Sequence, residues 1–453
     1  PRAPLTCEGV LAGRVDRGDT MTVSTAPVQT AIWFKDVAVF DSKAGTVTPM
    51  AQVLVRDGLI ESVTTGTAAP PNSDGAQIID GTGRTLIPGL IDVHAHVTFS
   101  AITVADGLSA DPGYLHIQAG RSATQMLMRG FTTVRDAGGP AFGLKRAIDA
   151  GIVEGPRMFP SGALISQSGG HGDFRQPYET PRDVCGHLSH IEIMRASVIA
   201  DGVPEVLRAA REQLMHGATQ IKMMAGGGVA SAYDPIDITQ FTLDEMRAGV
   251  ETAENYGTYV MVHAYTPRAV QQALTAGVRS IEHGQLLDEE TVEMIADKDA
   301  WWSLQPFLND ADMVPEPDPA RHAKALEVAA GTDRAYAMAK KHGIKVAWGT
   351  DTLFNAQLAS RQGEQLAKMV RWYTPAEVLT MATYTNSQLL TMSGPRNPYP
   401  AGSLGVIEAG AHADALLIDG NPLEDITLIE QSETAMVVIM KDGRIVKNIL
   451  PTA

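Results

Sequence analysis

The chain has 453 residues, 44% of them hydrophobic and 19% charged, enough for one large barrel with a satellite domain and a sizeable core. A formal net charge of −16 argues against a nucleic-acid backbone as partner, since that would need a basic face. Only two cysteines, Cys7 and Cys185, are present and far apart, which leaves no disulfide framework, and no apolar run approaches the ~18 residues needed to cross a bilayer.

The first twenty residues carry Arg2, Arg14, Asp16, Arg17 and Asp19 and no apolar stretch, so they are not an intact secretory signal. Met21 begins Met-Thr-Val-Ser-Thr, and residues 1–29 read as a tag or disordered leader. A trimmed export signal is the alternative to an expected cytoplasmic location. Residues 32–39 and 52–60 are apolar, β-branched and separated by Gly and Asp turns, the pattern of strands. Residues 413–418 and 435–440, with a turn at Lys441-Asp442-Gly443-Arg444, repeat it at the far end. Because chain ends often lie close together, residues 30–86 and 396–453 are expected to form one β-sandwich domain.

Between them, residues 87–395 alternate strand and helix. Eight strand candidates occupy 86–93, 132–136, 158–164, 220–224, 259–262, 280–282, 302–305 and 345–348. Helical segments separate them at 114–129, 143–150, 204–216, 243–256, 267–276, 288–298 and 321–342, with two more at 356–371 and 375–391. This alternation predicts an α/β fold with a parallel sheet closed into a (β/α)8 TIM-like barrel. An open doubly wound sheet would have to explain chemistry after so many different strands. One long irregular connection, residues 166–201, contains Gly169-Gly170-His171-Gly172-Asp173 and several prolines; its length and position suggest a lid.

The chemistry gathers at strand ends. Gly89-Leu90-Ile91-Asp92-Val93-His94-Ala95-His96 is an apolar strand ending in His-x-His. The period of two puts both imidazoles on one face, about 7 Å apart at Cα, where they can share a divalent ion. His263, His283 and Asp351 close later strands, and together they would converge on one barrel rim. Lys222 lies inside Gln220-Ile221-Lys222-Met223-Met224, where a charged amine is costly. It either snorkels outward or, neutralised by burial, adds carbon dioxide to give a carbamate able to bridge two cations. Tyr265 is two residues past His263 and would point into the same mouth, or be a plain rim aromatic. His171 sits among glycines that allow close approach to a ligand. Arg175 is a further candidate partner for a substrate carboxylate, against the ordinary reading of a solvated loop arginine. Gly226-Gly227-Gly228 lacks the Lys-Ser/Thr ending of a phosphate loop and reads as close backbone approach beside Lys222.

In this order, His94-x-His96, Lys222, His263, His283 and Asp351 resemble the two-metal type of the amidohydrolase superfamily, from about Ile32 to the end of the chain. Ser168-Gly169-Gly170-His171-Gly172-Asp173, Ala200-Asp201-Gly202-Val203 and Ile221-Lys222-Met223-Met224-Ala225-Gly226-Gly227-Gly228 are similar to a narrower branch. That branch holds Xaa-Pro and Xaa-Arg/Lys dipeptidases and carboxypeptidases and ochratoxinase-like amide hydrolases; imidazolonepropionase is a more distant relative. The resemblance implies that His94, His96 and Asp351 hold a more buried metal and His263 and His283 a more exposed one. Carbamylated Lys222 and a hydroxide would bridge them. The donors suit zinc, manganese and cobalt, with zinc expected. Asp351 would shuttle the proton, while His171 and Tyr265 would stabilise the oxyanion or hold substrate. The implied reaction is hydrolysis of a C–N bond in small peptides or N-acyl amino acids, by a homo-oligomer. The alternative is a xenobiotic amide, carbamate, urea or phosphoester. A non-catalytic scaffold would be expected to have lost ligands, and no dinucleotide fingerprint supports a redox enzyme.

Overall fold

The computed structural model describes residues 31–176, 178–179, 187–231 and 233–451. The expectations for residues 1–29, Cys7 and Cys185 lie outside the described residues. The described chain opens with β1 (Ile32–Asp41), β2 (Thr46–Arg56), β3 (Leu59–Thr65), β4 (Gln77–Asp80) and β5 (Arg84–Pro88). β2 and β3 are antiparallel, with Arg56 opposite Leu59 across Asp57-Gly58. Both turn residues have positive φ, 50° and 79°, as a two-residue hairpin requires. β1 lies antiparallel to β2 and parallel to β4 and β5.

Ten further strands follow: β6 (Leu90–Ala95), β7 (Phe131–Asp136), β8 (Arg157–Pro160), β9 (Leu164–Ser166), β10 (Ser197–Ile199), β11 (Ile221–Met224), β12 (Val260–Ala264), β13 (Ser280–His283), β14 (Trp301–Leu304) and β15 (Lys345–Trp348). They run parallel in two sheets, β6-β7-β8 and β10-β9-β11-β12-β13-β14-β15. Burial on both faces explains why apolar residues recur on both sides of these strands, with the polar and charged ones among them mostly buried as well. Helices fill the connections, several with side-chain caps: Thr242 and Glu245 form a capping box, and Asp288 and Asp318 cap the helices they precede.

Two expected strands are each divided. Residues 86–93 split at Gly89 into β5, in the terminal sheet, and β6; a Cβ at Gly89 would run into Thr132. Residues 158–164 split at Ser161-Gly162-Ala163 into β8, which pairs with β7, and β9, which pairs with β11. Gly162 takes φ +75°, and the bend interrupts the ladder. A bond from Thr219 N–H to the Pro160 carbonyl, 2.9 Å, spans the gap. The long 166–201 connection is less irregular than expected, since β10 and a short helix at His190–Ile193 lie within it.

The seam between β15 and β6 carries no ladder. Asn386 bridges it instead: its amide donates to the carbonyls of Ile91 (2.7 Å) and Trp348 (2.8 Å), and its oxygen accepts from Trp348 N–H. The chain then returns to the first sheet as β16 (Ala415–Asp419), β17 (Met436–Lys441) and β18 (Arg444–Asn448). β16 pairs with β5, giving an eight-stranded sheet built from both ends of the described chain, in the order β18-β17-β16-β5-β1-β2-β3 with β4 beside β1. Phe34, Val53, Leu417 and Val438 lie in its core.

Candidate metal centre

His94 lies in β6 and His96 one residue beyond it; Asp351 follows β15. Each imidazole has one nitrogen committed. His94 Nδ1–H donates to Glu282 Oε2 at 2.7 Å, and His96 Nδ1–H to the Gly138 carbonyl at 2.9 Å. Both Nε2 atoms then lie 3.3 Å from Asp351 Oδ1. His94 Nε2 is buried and makes no hydrogen bond, and the three donor atoms fall within 4.8 Å of one another. A buried, orphaned ring nitrogen aimed at a carboxylate and a second free nitrogen is the arrangement a divalent cation fits. Burial would push the Asp351 carboxyl up, but His94, His96 and His283 outweigh it and hold the group well below its usual range. Asp351 also sits at φ +51° and His283 at φ +75°, a conformation uncommon outside glycine and concentrated at functional sites.

His263, in β12, and His283, at the end of β13, extend the cluster. Ring centroids are 4.9 Å apart for His94 and His283 and 4.5 Å for His283 and His263. His283 Nδ1–H donates to Gln305 Oε1 at 2.8 Å, and His263 Nε2 lies 3.2 Å from the Gly227 carbonyl. Burial lowers His263 well below its ordinary value and takes His283 to about 3, so both rings are neutral, the form that ligates metal. Lys222, in β11, is 1% exposed. Burial lowers its amine to about 8, against the opposing pull of Glu282 and Asp351.

Beneath the histidines lies a polar layer that the sequence reading missed. Glu282 accepts from His94, from Ser280 Oγ at 2.6 Å, and from Arg135 Nη2 at 2.8 Å through both its oxygens. Arg135 is fully buried and also donates to the Val93 carbonyl and the Tyr259 hydroxyl. Asp92 accepts from His94 N–H, Thr350 and Gln362. The available signal was the one used for Lys222: Arg135, Glu282 and Asp92 are charged residues inside apolar strands.

His171 stacks on His263, with centroids 4.1 Å apart and planes at 16°. Tyr265 is buried, 5.1 Å from both His263 and His283. His171 and Tyr265 therefore join the histidine cluster. Arg175 does not: its guanidinium is paired with Asp173, Nε to Oδ1 at 2.7 Å and Nη2 to Oδ2 at 2.5 Å.

Fold and site together define a metal-dependent hydrolase with its donors at the ends of parallel strands. The amidohydrolase family model matches residues 85–447, and the chain belongs to that family. It is 32% identical over 376 residues to ochratoxinase of Aspergillus niger, covering 80% of this chain and 75% of the relative. A solved prolidase complexed with N-methylphosphonate-L-proline is 35% identical with a TM-score of 0.83, covering 92% of this chain and 100% of that one. A Xaa-Pro dipeptidase with methionine bound in its active site is 27% identical with a TM-score of 0.79, again covering 92% and 100%. The chain is a metal-dependent hydrolase of amide or peptide bonds.

Proposed function

We propose that the enzyme cleaves the C–N bond of small peptides or N-acyl amino acids bearing a free carboxylate. His94, His96 and Asp351 would hold one divalent ion, His263 and His283 a second, and carbamylated Lys222 would join the two. The observation carrying this reading is the approach of the free His94 and His96 Nε2 atoms to Asp351 Oδ1, while Glu282 and Gly138 hold the opposite ring nitrogens. The reading takes the parallel strands as a closed (β/α)8 barrel, residues 87–395, and the terminal sheet as a separate sandwich-like domain.

Divalent ions at such a site supply hydroxide near neutral pH and polarise a carbonyl. The chain's own groups do the rest. Asp351, ionised throughout the neutral range, can take the proton released as water attacks and deliver it to the leaving nitrogen. His171 and the Tyr265 hydroxyl offer donors to the carbonyl oxygen or to the substrate carboxylate. With its amine near 8, Lys222 is partly neutral at physiological pH, so its nitrogen can attack carbon dioxide and release one proton. The substrate class draws support from two relatives that hold N-methylphosphonate-L-proline and methionine, both small amino-acid derivatives.

The test is free-amine release by zinc-loaded protein from a library of dipeptides and N-acyl amino acids, each paired with its C-terminally amidated counterpart. Cleavage of the free acids, with loss of at least tenfold in kcat/KM on amidation, is expected. Equal cleavage of acids and amides would overturn the carboxylate requirement.

A further inference from the structure

His171 is gripped by a loop from a different part of the chain. Its Nδ1 lies 2.7 Å from Ser231 Oγ and 3.0 Å from Asp234 Oδ2. Ser231 Oγ–H donates to Asp234 Oδ1, so towards the ring that hydroxyl can only accept. The Asp234 carboxylate also accepts from Gly228 N–H at 2.7 Å and is fully buried. With Ser231 Oγ–H committed to Asp234, both contacts at Nδ1 require the proton on that nitrogen, which leaves Nε2 as the ring nitrogen free for substrate.

The backbone of the same loop closes on the ring. A Cβ at Gly228 would run into the His171 imidazole, and one at Gly227 into the Pro235 carbonyl. The glycine run is thus a slot for a ring, a use distinct from holding phosphate. From outside, Lys324 on the helix Pro319–Lys341 donates to the carbonyls of Gly228 (3.1 Å) and Asp234 (2.6 Å), tying both ends of the slot together. A pairing between Gly226 and Thr239 closes the base of the loop.

We propose that Asp234 is a positioning residue acting through His171. It fixes the tautomer and aim of the imidazole, and Lys324 in turn fixes the segment that carries Asp234. This rests on the reading that His171 touches the substrate.

The experiment is a double-mutant cycle on the zinc-loaded full chain, using any amide substrate it hydrolyses. Asp234→Ala should lower kcat about 10–100-fold, the usual cost of losing an outer partner of a functional histidine. KM and zinc content should stay near wild type, while the thermal midpoint falls because the Gly228 N–H, the Ser231 hydroxyl and the His171 Nδ1–H lose a buried acceptor. In a His171→Ala background the same change should cost less than about twofold, because residues acting as one unit are non-additive. Lys324→Met should lower kcat by a smaller factor that also vanishes in the His171→Ala background. Equal losses in both backgrounds would overturn the proposal, as would zinc loss that accounts for the fall in kcat. If His171→Ala alone keeps full turnover, the placement of His171 at the substrate fails, and the proposal with it. The ring 15N shifts give an answer independent of substrate. A protonated Nδ1 in wild type that becomes a tautomer mixture in Asp234→Asn is expected, and a protonated Nε2 in wild type would refute the positioning role.

Discussion

Glu282→Gln isolates the polar layer under the candidate metal ligands with almost no change in volume. Glu282 and Arg135 are both fully buried, and both carboxylate oxygens face the same guanidinium nitrogen at 2.8 Å. The amide leaves Arg135 with the Val93 carbonyl, Tyr259 hydroxyl and Ser280 hydroxyl but no counter-charge. Breaking a buried pair from one side costs about 3–5 kcal/mol. The neutral partners remaining to Arg135 place the expected loss near the lower end, about 3 kcal/mol. Whichever way the amide turns, its NH2 meets Arg135, and the His94 N–H faces either that NH2 or a neutral carbonyl oxygen, so His94 is held more weakly. Loss of such an outer partner weakens metal binding about 10–100-fold, or about 1.4–2.8 kcal/mol. Denaturant unfolding of the metal-free protein measures the first effect, and zinc competition against a chromophoric chelator the second. Arg135→Met combined with Glu282→Gln should recover most of the stability, since no charge is left buried. Its zinc affinity should stay low, because a neutral amide is the weaker acceptor for the His94 N–H. A Glu282→Gln protein with wild-type unfolding midpoint and wild-type zinc affinity would refute this account.

Lys222→Ala should remove most bound zinc and most activity, and 13C-bicarbonate should label the wild type but not the variant; two tightly held ions per chain in the variant would sink the carbamate bridge. Asn386→Ala strands two carbonyls and an N–H at the β15–β6 seam. At about 1–3 kcal/mol for each unsatisfied group, it should cost at least 3 kcal/mol in denaturant unfolding, and a loss under about 1 kcal/mol would show that the seam does not depend on it. Asp442 pairs with Arg157, which outweighs burial and holds the carboxyl below its ordinary 3.8. A depressed folded value means stability that is complete above 3.8 and fades as pH falls through the lower folded value. The stability gap between wild type and Asp442→Asn should therefore be flat from about pH 5 to 7 and shrink below about pH 4; a gap that widens in acid would contradict the sign.

What could be read in advance followed burial. Strands covered on both faces are mostly apolar, so the short runs of β7, β11, β12, β13, β14 and β15 stood out, and a His, Lys or Asp within or just after one was conspicuous. What could not be read depends on pairing. Residues 158–164 look like one strand because Met158, Phe159, Ala163 and Leu164 are all apolar, yet Pro160 and Gly162 between them bend the chain, and only the neighbours β7 and β11 decide which half pairs where. β10 was invisible because Ser197-Val198-Ile199 is too short to show a period. Arg175 has its partner only two residues away, in Asp173, a local pairing that strand and helix periods do not reveal.

The same logic explains why the supporting residues escaped notice while the ligands did not. A ligand is recognised by residue type at a strand end, a one-dimensional property. Glu282 supports His94 from 188 positions away, and Asp234 supports His171 from 63; these pairs exist only once the chain has folded. In each case a histidine has one nitrogen tied by an acceptor deeper in the protein and the other presented to the site. His94 uses Glu282, His96 the Gly138 carbonyl, His283 the Gln305 amide and His171 the Asp234 carboxylate. Two of these acceptors are anions and two are neutral. An anionic partner raises the basicity of the opposite nitrogen more than a carbonyl does, so His94 should bind a metal more strongly than His96. His171 has the same kind of carboxylate partner but does not belong to the His94, His96 and Asp351 donor set, which is why its role is tested through substrate turnover rather than through metal content.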